Sequence, residues 1–251
     1  MTLWRLEVAR MLRTRRAVAL VAVYVLFGLV GPLTARYLED LISLAGGDLG
    51  GATIEFPAPT PADGISQFVS NVVQIGTLVF VVVAAGALAF DAIEEMGVFL
   101  RSRVRSMWRI LLPRLTVPFA AAAIAFTLGA SCAWYETWAL IGAPDATAML
   151  LGTVFGVVYL GFATTVVGAV AQWVRGVLAT VMGALVVLVA LPVVGIVDAI
   201  GRWSPSRLAT ALADLQTGGS PGDYIGPTVT AVVAGAMLVW FAVIGARRRE
   251  V

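Results

Sequence analysis

The chain has no histidine, no lysine and a single cysteine, Cys132, in its 251 residues. The lack of histidine excludes Ser-His-Asp hydrolysis, most zinc sites and the usual pH switch near neutrality. One cysteine alone forms neither an intrachain disulfide nor a cysteine metal cluster. The lack of lysine excludes the Gly-x-x-x-x-Gly-Lys-Ser/Thr loop of P-loop ATPases. We therefore expect no metal and no cofactor in this chain.

Charged residues are scarce as well. They make up 13% of the chain, while 60% of the residues are hydrophobic; soluble domains usually carry about 25% charged residues. A soluble protein of this size has too little interior to hide so much apolar surface, but a bilayer removes that need. All 17 basic residues are arginine, a usage that favours a prokaryotic source with a biased genome.

Six apolar stretches are long enough to cross the hydrocarbon core, which takes roughly 20 residues each. Helices are the expected form, because an isolated strand leaves its backbone polar groups unpaired in lipid. The first stretch is too long for a signal-peptide core and lacks a clear cleavage site, so we expect it to be retained. The predicted spans are residues 17–37, 68–90, 113–134, 148–171, 177–197 and 225–246.

The arginines predict the orientation. With both termini placed inside, 14 of the 17 arginines fall in inner segments and ten of the 15 acidic residues fall in outer ones. Cytoplasmic loops carry an excess of arginine and lysine, so this split predicts cytoplasmic termini. The outer arginines are only Arg36, Arg202 and Arg207. The sequence predicts one transmembrane domain over residues 1–251, in a prokaryotic plasma membrane.

Three other segments have predictable local structure. Residues 38–67 are rich in Gly and Pro and are expected to be irregular. Ser204 and Pro205 suit the cap and first turn of a short helix, with Leu208, Leu212 and Leu215 on one face. We expect that helix at the outer membrane surface.

The first 16 residues predict an amphipathic helix in the headgroup layer, here named the elbow helix. Its apolar side holds Trp4, Val8, Met11 and Leu12, and Arg5, Arg13 and Arg16 lie opposite. Leu3 and Leu6 break the pattern. A plain basic anchor for the first span is the alternative interpretation.

The inner segment 91–115 carries the most specific pattern. It contains Glu95-Met-Gly97, then Ser102-Arg103, then Trp108-Arg-Ile-Leu-Leu-Pro-Arg-Leu115. This order resembles the cytoplasmic segment between spans two and three of type-two ABC exporter permeases. That family shows acid-x-Gly, Ser-Arg-Pro and Trp-x-Ile-Leu-Leu-Gly-Lys-Leu at these places, so Val104, Pro113 and Arg114 depart from its pattern. A solvated basic loop is the alternative.

The resemblance implies a broken helical hairpin between spans five and six, where Ser204 and Pro205 lie, and it also implies a function and a set of partners. It implies the permease subunit of an ATP-driven transporter, paired with a second permease chain in a homodimer or heterodimer. Two separate ATPase subunits would bind ATP and Mg²⁺, and this chain itself would be no enzyme and bind no nucleic acid. In that family the elbow helix and the inner segment contact the ATPase. The implied interface residues are Arg5, Glu94, Glu95, Gly97, Arg101, Arg103, Arg105 and Trp108.

A polar stripe enters the second span. Gln67, Ser70, Asn71, Gln74 and Thr77 are spaced by three and four residues, which places them on one helical face. Polar groups in a span face protein or water rather than lipid. The stripe therefore predicts either hydrogen bonds between helices or a substrate path, and the apolar spans favour export of a hydrophobic or amphipathic substrate.

Other classes of function stay open. Glu94-Glu95 resembles the start of the Glu-Glu-x-x-x-Arg motif of CaaX-type membrane proteases, but position 99 is Phe and no later histidine exists. An ATP-independent carrier usually shows buried charge or inverted repeats, and neither is clear here. A structural subunit of another membrane complex is a further alternative.

Gly152-x-x-x-Gly156 permits close helix packing, although alone it is a weak dimer signal.

Overall fold

The computed structural model describes residues 3–38, 40, 57–88 and 107–248. These residues form helices joined by short turns, and no strand occurs among them. Ten α-helices are numbered here in chain order. They are α1 (Leu3–Arg13), α2 (Arg16–Arg36), α3 (Pro61–Asn71), α4 (Thr77–Leu88), α5 (Met107–Leu140), α6 (Ala146–Trp173), α7 (Val177–Val194), α8 (Asp198–Gly201), α9 (Arg207–Gln216) and α10 (Ile225–Arg248).

Six helical segments are long and apolar enough to cross a membrane, which confirms the predicted all-α class and number of spans. They fit a multi-pass membrane protein. A π-helical turn, Val72–Gly76, joins α3 to α4 within the second span, and a 3₁₀ turn, Pro221–Tyr224, leads into the sixth. The spans are Arg16–Arg36, Pro61–Leu88, Leu111–Leu140, Ala146–Trp173, Val177–Val194 and Pro221–Gly245.

The second span begins earlier than predicted, so the expectation of irregular structure is wrong for residues 61–67. The helix starts at Pro61, which suits a first helical position because its missing N–H has no partner there anyway. The Asp63 carboxylate accepts hydrogen bonds from the Thr60 backbone N–H at 2.7 Å and from its hydroxyl at 2.6 Å. This local capping, which the hydropathy pattern does not reveal, sets the start of the helix.

The third span runs on from the inner segment as one continuous helix. The helix α5 begins before the predicted start of the span at residue 113 and continues through both Pro113 and Pro118. A proline inside a membrane helix is tolerated where neighbouring helices and hydroxyl side chains satisfy the freed backbone groups. Between the two prolines, the Thr116 hydroxyl donates to the Leu112 carbonyl at 2.8 Å.

Glycines bring the spans together. A Cβ atom built on Gly129 of α5 would lie 2.5 Å from the Tyr24 carbonyl oxygen of α2, so only glycine allows this crossing. Close backbone approach replaces the hydrophobic effect as the cause of association, because lipid tails are as apolar as the side chains. The fourth span is the most enclosed, with 61% of it buried, against 22% of the fifth. The helix α6 is therefore central, and α7 is peripheral.

The connection between α7 and α10 folds back onto α6. The predicted short helix is present as α9, but it begins at Arg207, and Ser204 does not cap it. Ser204 is buried, and its hydroxyl lies 2.8 Å from that of Ser206. The leucine face predicted at the membrane surface is instead packed against the protein: Leu208 and Leu212 have 0% and 1% exposure.

Gly152 is the reason why α9 fits so closely on α6. A Cβ atom on Gly152 would lie 2.5 Å from the Leu212 Cα atom. The predicted close packing at Gly152-x-x-x-Gly156 thus occurs within the chain. The Gln216 side chain also exchanges two 3.0 Å hydrogen bonds with the backbone of Asp145, just before α6.

Candidate functional site

The structure brings polar residues together at two places, one at the arginine-rich end of the bundle and one near the opposite ends of the spans. At the first place, the Arg114 Nε atom of α5 lies 3.0 Å from the Glu7 Oε1 atom of α1. The two side chains are only 7% and 12% exposed. Arg10 lies 3.9 Å from the other Glu7 oxygen. This buried ion pair holds α1 against the beginning of the third span.

The remaining sides of α1 are exposed. Met11 is buried in the protein, so the predicted grouping of Met11 with the outward apolar side is wrong. Trp4, Val8 and Leu12 are exposed, with 48%, 45% and 59% of their surfaces accessible. Arg5 is exposed beside them. The helix therefore has one side on the protein, one free apolar side and one basic side.

The predicted ATPase-interface residues fall partly outside the structure's described residues. Glu94, Glu95, Gly97, Arg101, Arg103 and Arg105 all lie outside it. Arg5 is exposed on α1, and Trp108, at the start of α5, is 38% exposed. Arg16 packs its guanidinium over Gly86 near the end of α4, since a Cβ atom there would lie 2.9 Å from Nη1. At this end of the bundle, α1 thus contacts α5 and α2 contacts α4.

The polar stripe contains an irregularity that the sequence pattern did not reveal. Residues Val72–Gly76 form a π-helical turn, in which the Thr77 backbone N–H and hydroxyl both bond to the Val72 carbonyl, the hydroxyl at 3.2 Å. The buried Tyr24 hydroxyl donates to the Gly76 carbonyl at 3.4 Å. An inserted π turn rotates the residues after it relative to those before it, and such turns occur frequently at functional sites.

The stripe borders two cavities. Gln67 and Ser70 line a groove of about 460 Å³ beside Arg36. Gln74 and Thr77 line a different, larger cavity of about 840 Å³. The Gln74 amide donates to the Ser70 hydroxyl at 3.0 Å, so these two side chains stay on one face of the helix across the π turn. Asn71 is half-buried and lines neither of these two cavities. The role of the stripe as a substrate path stays a prediction.

The larger cavity lies between the second, fourth and fifth spans and the start of α9. It is named here the outer cavity because it lies near the span ends that the arginine distribution predicts to be outside. One part of its wall is apolar, built from residues of α4 and α7 such as Leu78, Leu185 and Val189. The other part is polar and basic, with Ser204, Ser206, Arg202, Arg207 and Thr210. An apolar pocket of several hundred cubic ångströms with a few polar groups is typical of small-molecule sites.

Sequence reasoning missed Arg202 and Arg207 as site residues, although a signal for them was present. They are two of only three arginines on the predicted outer side. Arginine is uncommon on that side, so its presence there needs a reason other than orientation. The structure places both in the wall of the outer cavity, with the Arg207 guanidinium 5.7 Å from the Tyr224 ring centroid.

Comparison with protein-family models, with curated proteins and with solved structures finds no match for this chain. Within the described ranges, no group of three or more Cys, Asp and Glu residues is placed to hold a metal ion. The function must therefore be argued from the two polar regions and from the sequence patterns that lie beside them.

Proposed function

We propose that this chain is the permease subunit of an ATP-driven ABC exporter, with both termini in the cytoplasm and a separate ATPase as its partner. The observation that carries the proposal is the Glu7–Arg114 ion pair. Arg114 stands where the motif of type-two permeases has its lysine, and Glu7 belongs to the predicted elbow helix. In that family, these two segments together contact the ATPase.

The ion pair couples the elbow helix to the start of the third span. Because both side chains are buried, the pair lies in a low-dielectric environment, where removing either partner is costly. A force applied by a partner to α1 or to the start of α5 is therefore passed to both. From α5 it reaches α2 through the Gly129 crossing, and from Arg16 it reaches the end of α4.

The exposed surface beside the ion pair suits a protein partner. Arg5, Arg13 and Arg109 are exposed there, together with Trp108. Tryptophan and arginine are the residues that most often dominate binding energy in protein interfaces. Among the described residues of α1 and the first turn of α5, Glu7 is the acidic group, and it is engaged within the chain. We therefore expect an acidic or hydrogen-bond-accepting partner surface.

The test is co-purification with an ATPase. The permease, tagged alone, is co-expressed in turn with each ABC-type ATPase encoded near it, and ATP hydrolysis by the purified complex is measured. We expect stable co-purification, and we expect Trp108→Ala and the triple change of Arg101, Arg103 and Arg105 to Ala to weaken it. Arg36→Ala, on the predicted outer side, is the matched control and leaves the complex intact.

A permease that purifies from these co-expressions without any ATPase contradicts the proposal. An ATP-independent carrier, or a structural subunit of another membrane complex, then becomes the first hypothesis. A further outcome is a complex that forms but is weakened by Arg36→Ala as much as by the Trp108 and arginine variants. That result would support an ATPase partner but contradict an interface at the inner ends of the spans.

A further inference from the structure

We propose that the outer cavity binds an amphipathic molecule with an anionic headgroup, such as an alkyl phosphate or an acidic lipid. The headgroup lies at Arg202 and Arg207, and the acyl chain lies along α4 and α7. The binding site is argued from the cavity itself. Its role as the place where cargo binds rests on the proposed transporter function.

The charge of the cavity favours an anion. Arg202 and Arg207 both line it, and no carboxylate is among the described residues of its wall. Neither guanidinium has a carboxylate within ion-pairing distance in the described part of the chain. Arginine at a membrane edge is costly unless it finds a counter-charge or water, and an arginine fork binds phosphate with two parallel hydrogen bonds.

Hydroxyl groups complete the polar end. Ser204, Ser206 and Thr210 line the cavity. The Thr210 hydroxyl is engaged, because it donates to the Asp214 carboxylate at 2.9 Å. The Ser204 and Ser206 oxygens are 2.8 Å apart. One of these two hydroxyls donates to the other, which leaves the second proton available to an acceptor in the cavity. The helix α9 begins at Arg207 in the same wall, so the positive end of its dipole also favours negative charge there.

The remaining wall favours a hydrocarbon chain rather than a free anion. The apolar lining residues belong to the second and fifth spans, whereas both arginines follow the fifth span in the sequence. These apolar residues include Val73, Leu78, Leu185, Leu188 and Val189. A small anion would leave most of the roughly 840 Å³ unfilled. A volume of this size is near the upper end of typical ligand sites and accommodates a headgroup together with part of an acyl chain.

The second span contributes two polar groups to the wall of the cavity. Gln74 and Thr77 line the cavity on either side of Gly76, where the π turn ends. The Thr77 hydroxyl donates to the Val72 carbonyl within the turn. Gln74 gives one amide N–H to Ser70 and keeps a second one, which can hydrogen-bond a headgroup linkage.

The experiment is photo-crosslinking of the full chain in nanodiscs of neutral phosphatidylcholine. The probe is dodecyl phosphate with a diazirine in its chain, and the labelled peptides are sequenced. We expect labelling in α4 and α7. Unlabelled dodecyl phosphate should compete at about tenfold lower concentration than dodecyl maltoside, as one or two charge-assisted hydrogen bonds would give. Inorganic phosphate should not compete at those concentrations.

Two variants test the two ends of the site separately. Arg202→Gln with Arg207→Gln should abolish the preference for phosphate over maltoside, whereas Arg36→Gln should retain it. Val189→Trp fills the apolar wall without touching the arginines and should reduce labelling by the probe. If the double variant misfolds, Val189→Trp still tests the site, because Val189 is 63% exposed and its substitution spares the packed interior.

Three results overturn the inference. They are equal competition by dodecyl maltoside, labelling that the double arginine variant leaves unchanged, and competition by inorganic phosphate as effective as that by dodecyl phosphate. The last result assigns the site to a free anion. None of these assays needs an ATPase, so failure here is distinguishable from failure of the proposed transporter function, which the co-purification tests alone.

Discussion

The helices α1 and α9 are both short and amphipathic, with 11 and 10 residues, yet the fold uses them differently. The apolar side of α9 is buried against α6, and Leu208, Leu212 and Leu215 are at most 7% exposed. On α1, Met11 alone is buried, while Trp4 and its apolar neighbours remain exposed. The first helix is held by an ion pair, and the second by close packing.

The difference shows that amphipathic sequence alone does not tell what covers the apolar side. The apolar side of α9 is covered by the protein itself. Each fully buried leucine there contributes roughly 1.5–3 kcal/mol relative to exposure in water. For α1 the apolar side is left to lipid or a partner, as the proposed function requires. Four changes test this contrast, from the largest expected effect to the smallest.

The largest effect is expected from Leu212→Ala in α9. Leu212 is 1% exposed, and its backbone touches Gly152, so truncation leaves a cavity in a closely packed contact. Such substitutions cost roughly 2–5 kcal/mol. The measurement is the thermal unfolding midpoint in detergent, with Leu12→Ala on α1 as the matched control. Equal midpoints for the two variants would remove the proposed contrast between the helices.

Gly152→Ala tests the cause of the close contact. The added methyl group meets the Leu212 backbone, which cannot turn away like a side-chain tip, and overpacking costs roughly 1–3 kcal/mol. Gly235→Ala in α10 is the control, because the nearest atom to its Cβ would be 3.4 Å away. We expect a lower midpoint for the first and an unchanged or higher one for the second. A stable Gly152→Ala variant contradicts the contact.

Glu7→Gln tests how α1 is held. The change removes the charge opposite Arg114 but keeps the shape and an oxygen that can accept from the guanidinium, so the loss is that of the opposite charge alone, roughly 1 kcal/mol. Because the loss is local to α1, we expect faster amide exchange in residues 3–13 and little change in α9. Arg5→Ala, on the exposed side of the same helix, serves as control. Uniform exchange in both variants would exclude the ion pair as the anchor.

The smallest effect on stability is expected from the exposed apolar side of α1. The double change of Trp4 and Leu12 to Ser removes large, exposed side chains, so the free energy of unfolding should stay within about 0.5 kcal/mol of that of the parent. Binding to anionic vesicles or co-purification of the ATPase should fall instead. A strongly lowered midpoint would mean that this side supports the fold.

Much of the architecture was predictable because it depends on hydropathy alone. A span must be apolar over its length whatever its neighbours are, so all six were found, with ends displaced by a few residues. The ends depend on capping, as at Thr60 and Asp63, and a seven-residue error followed at the second span. The π turn was not predictable from periodicity, and the hydrogen bonds from the Tyr24 and Thr77 hydroxyls to its backbone carbonyls are visible only in the structure.

The candidate site was predictable only in part. Gln74 and Thr77 were expected in a polar face, and they do line the outer cavity, but Arg202 and Arg207 were assigned no role. Their meeting with α4 and α7 requires the chain to fold back between the fifth and sixth spans. Residues more than a hundred positions apart in the sequence line the same cavity there, and no local sequence pattern predicts such a contact.

The sequence by itself determined that the protein lies in a membrane and how many spans it has, because a chain with 60% apolar residues in six long runs cannot bury them all in water. It also carried the resemblance on which the proposed function depends. The tertiary structure alone decided which apolar faces are covered, that Glu7 pairs with Arg114, and that two outer arginines share a cavity. The physical reason is that burial and pairing depend on which helices pack together. Glycines such as Gly129 and Gly152 allow the close helix contacts that decide this.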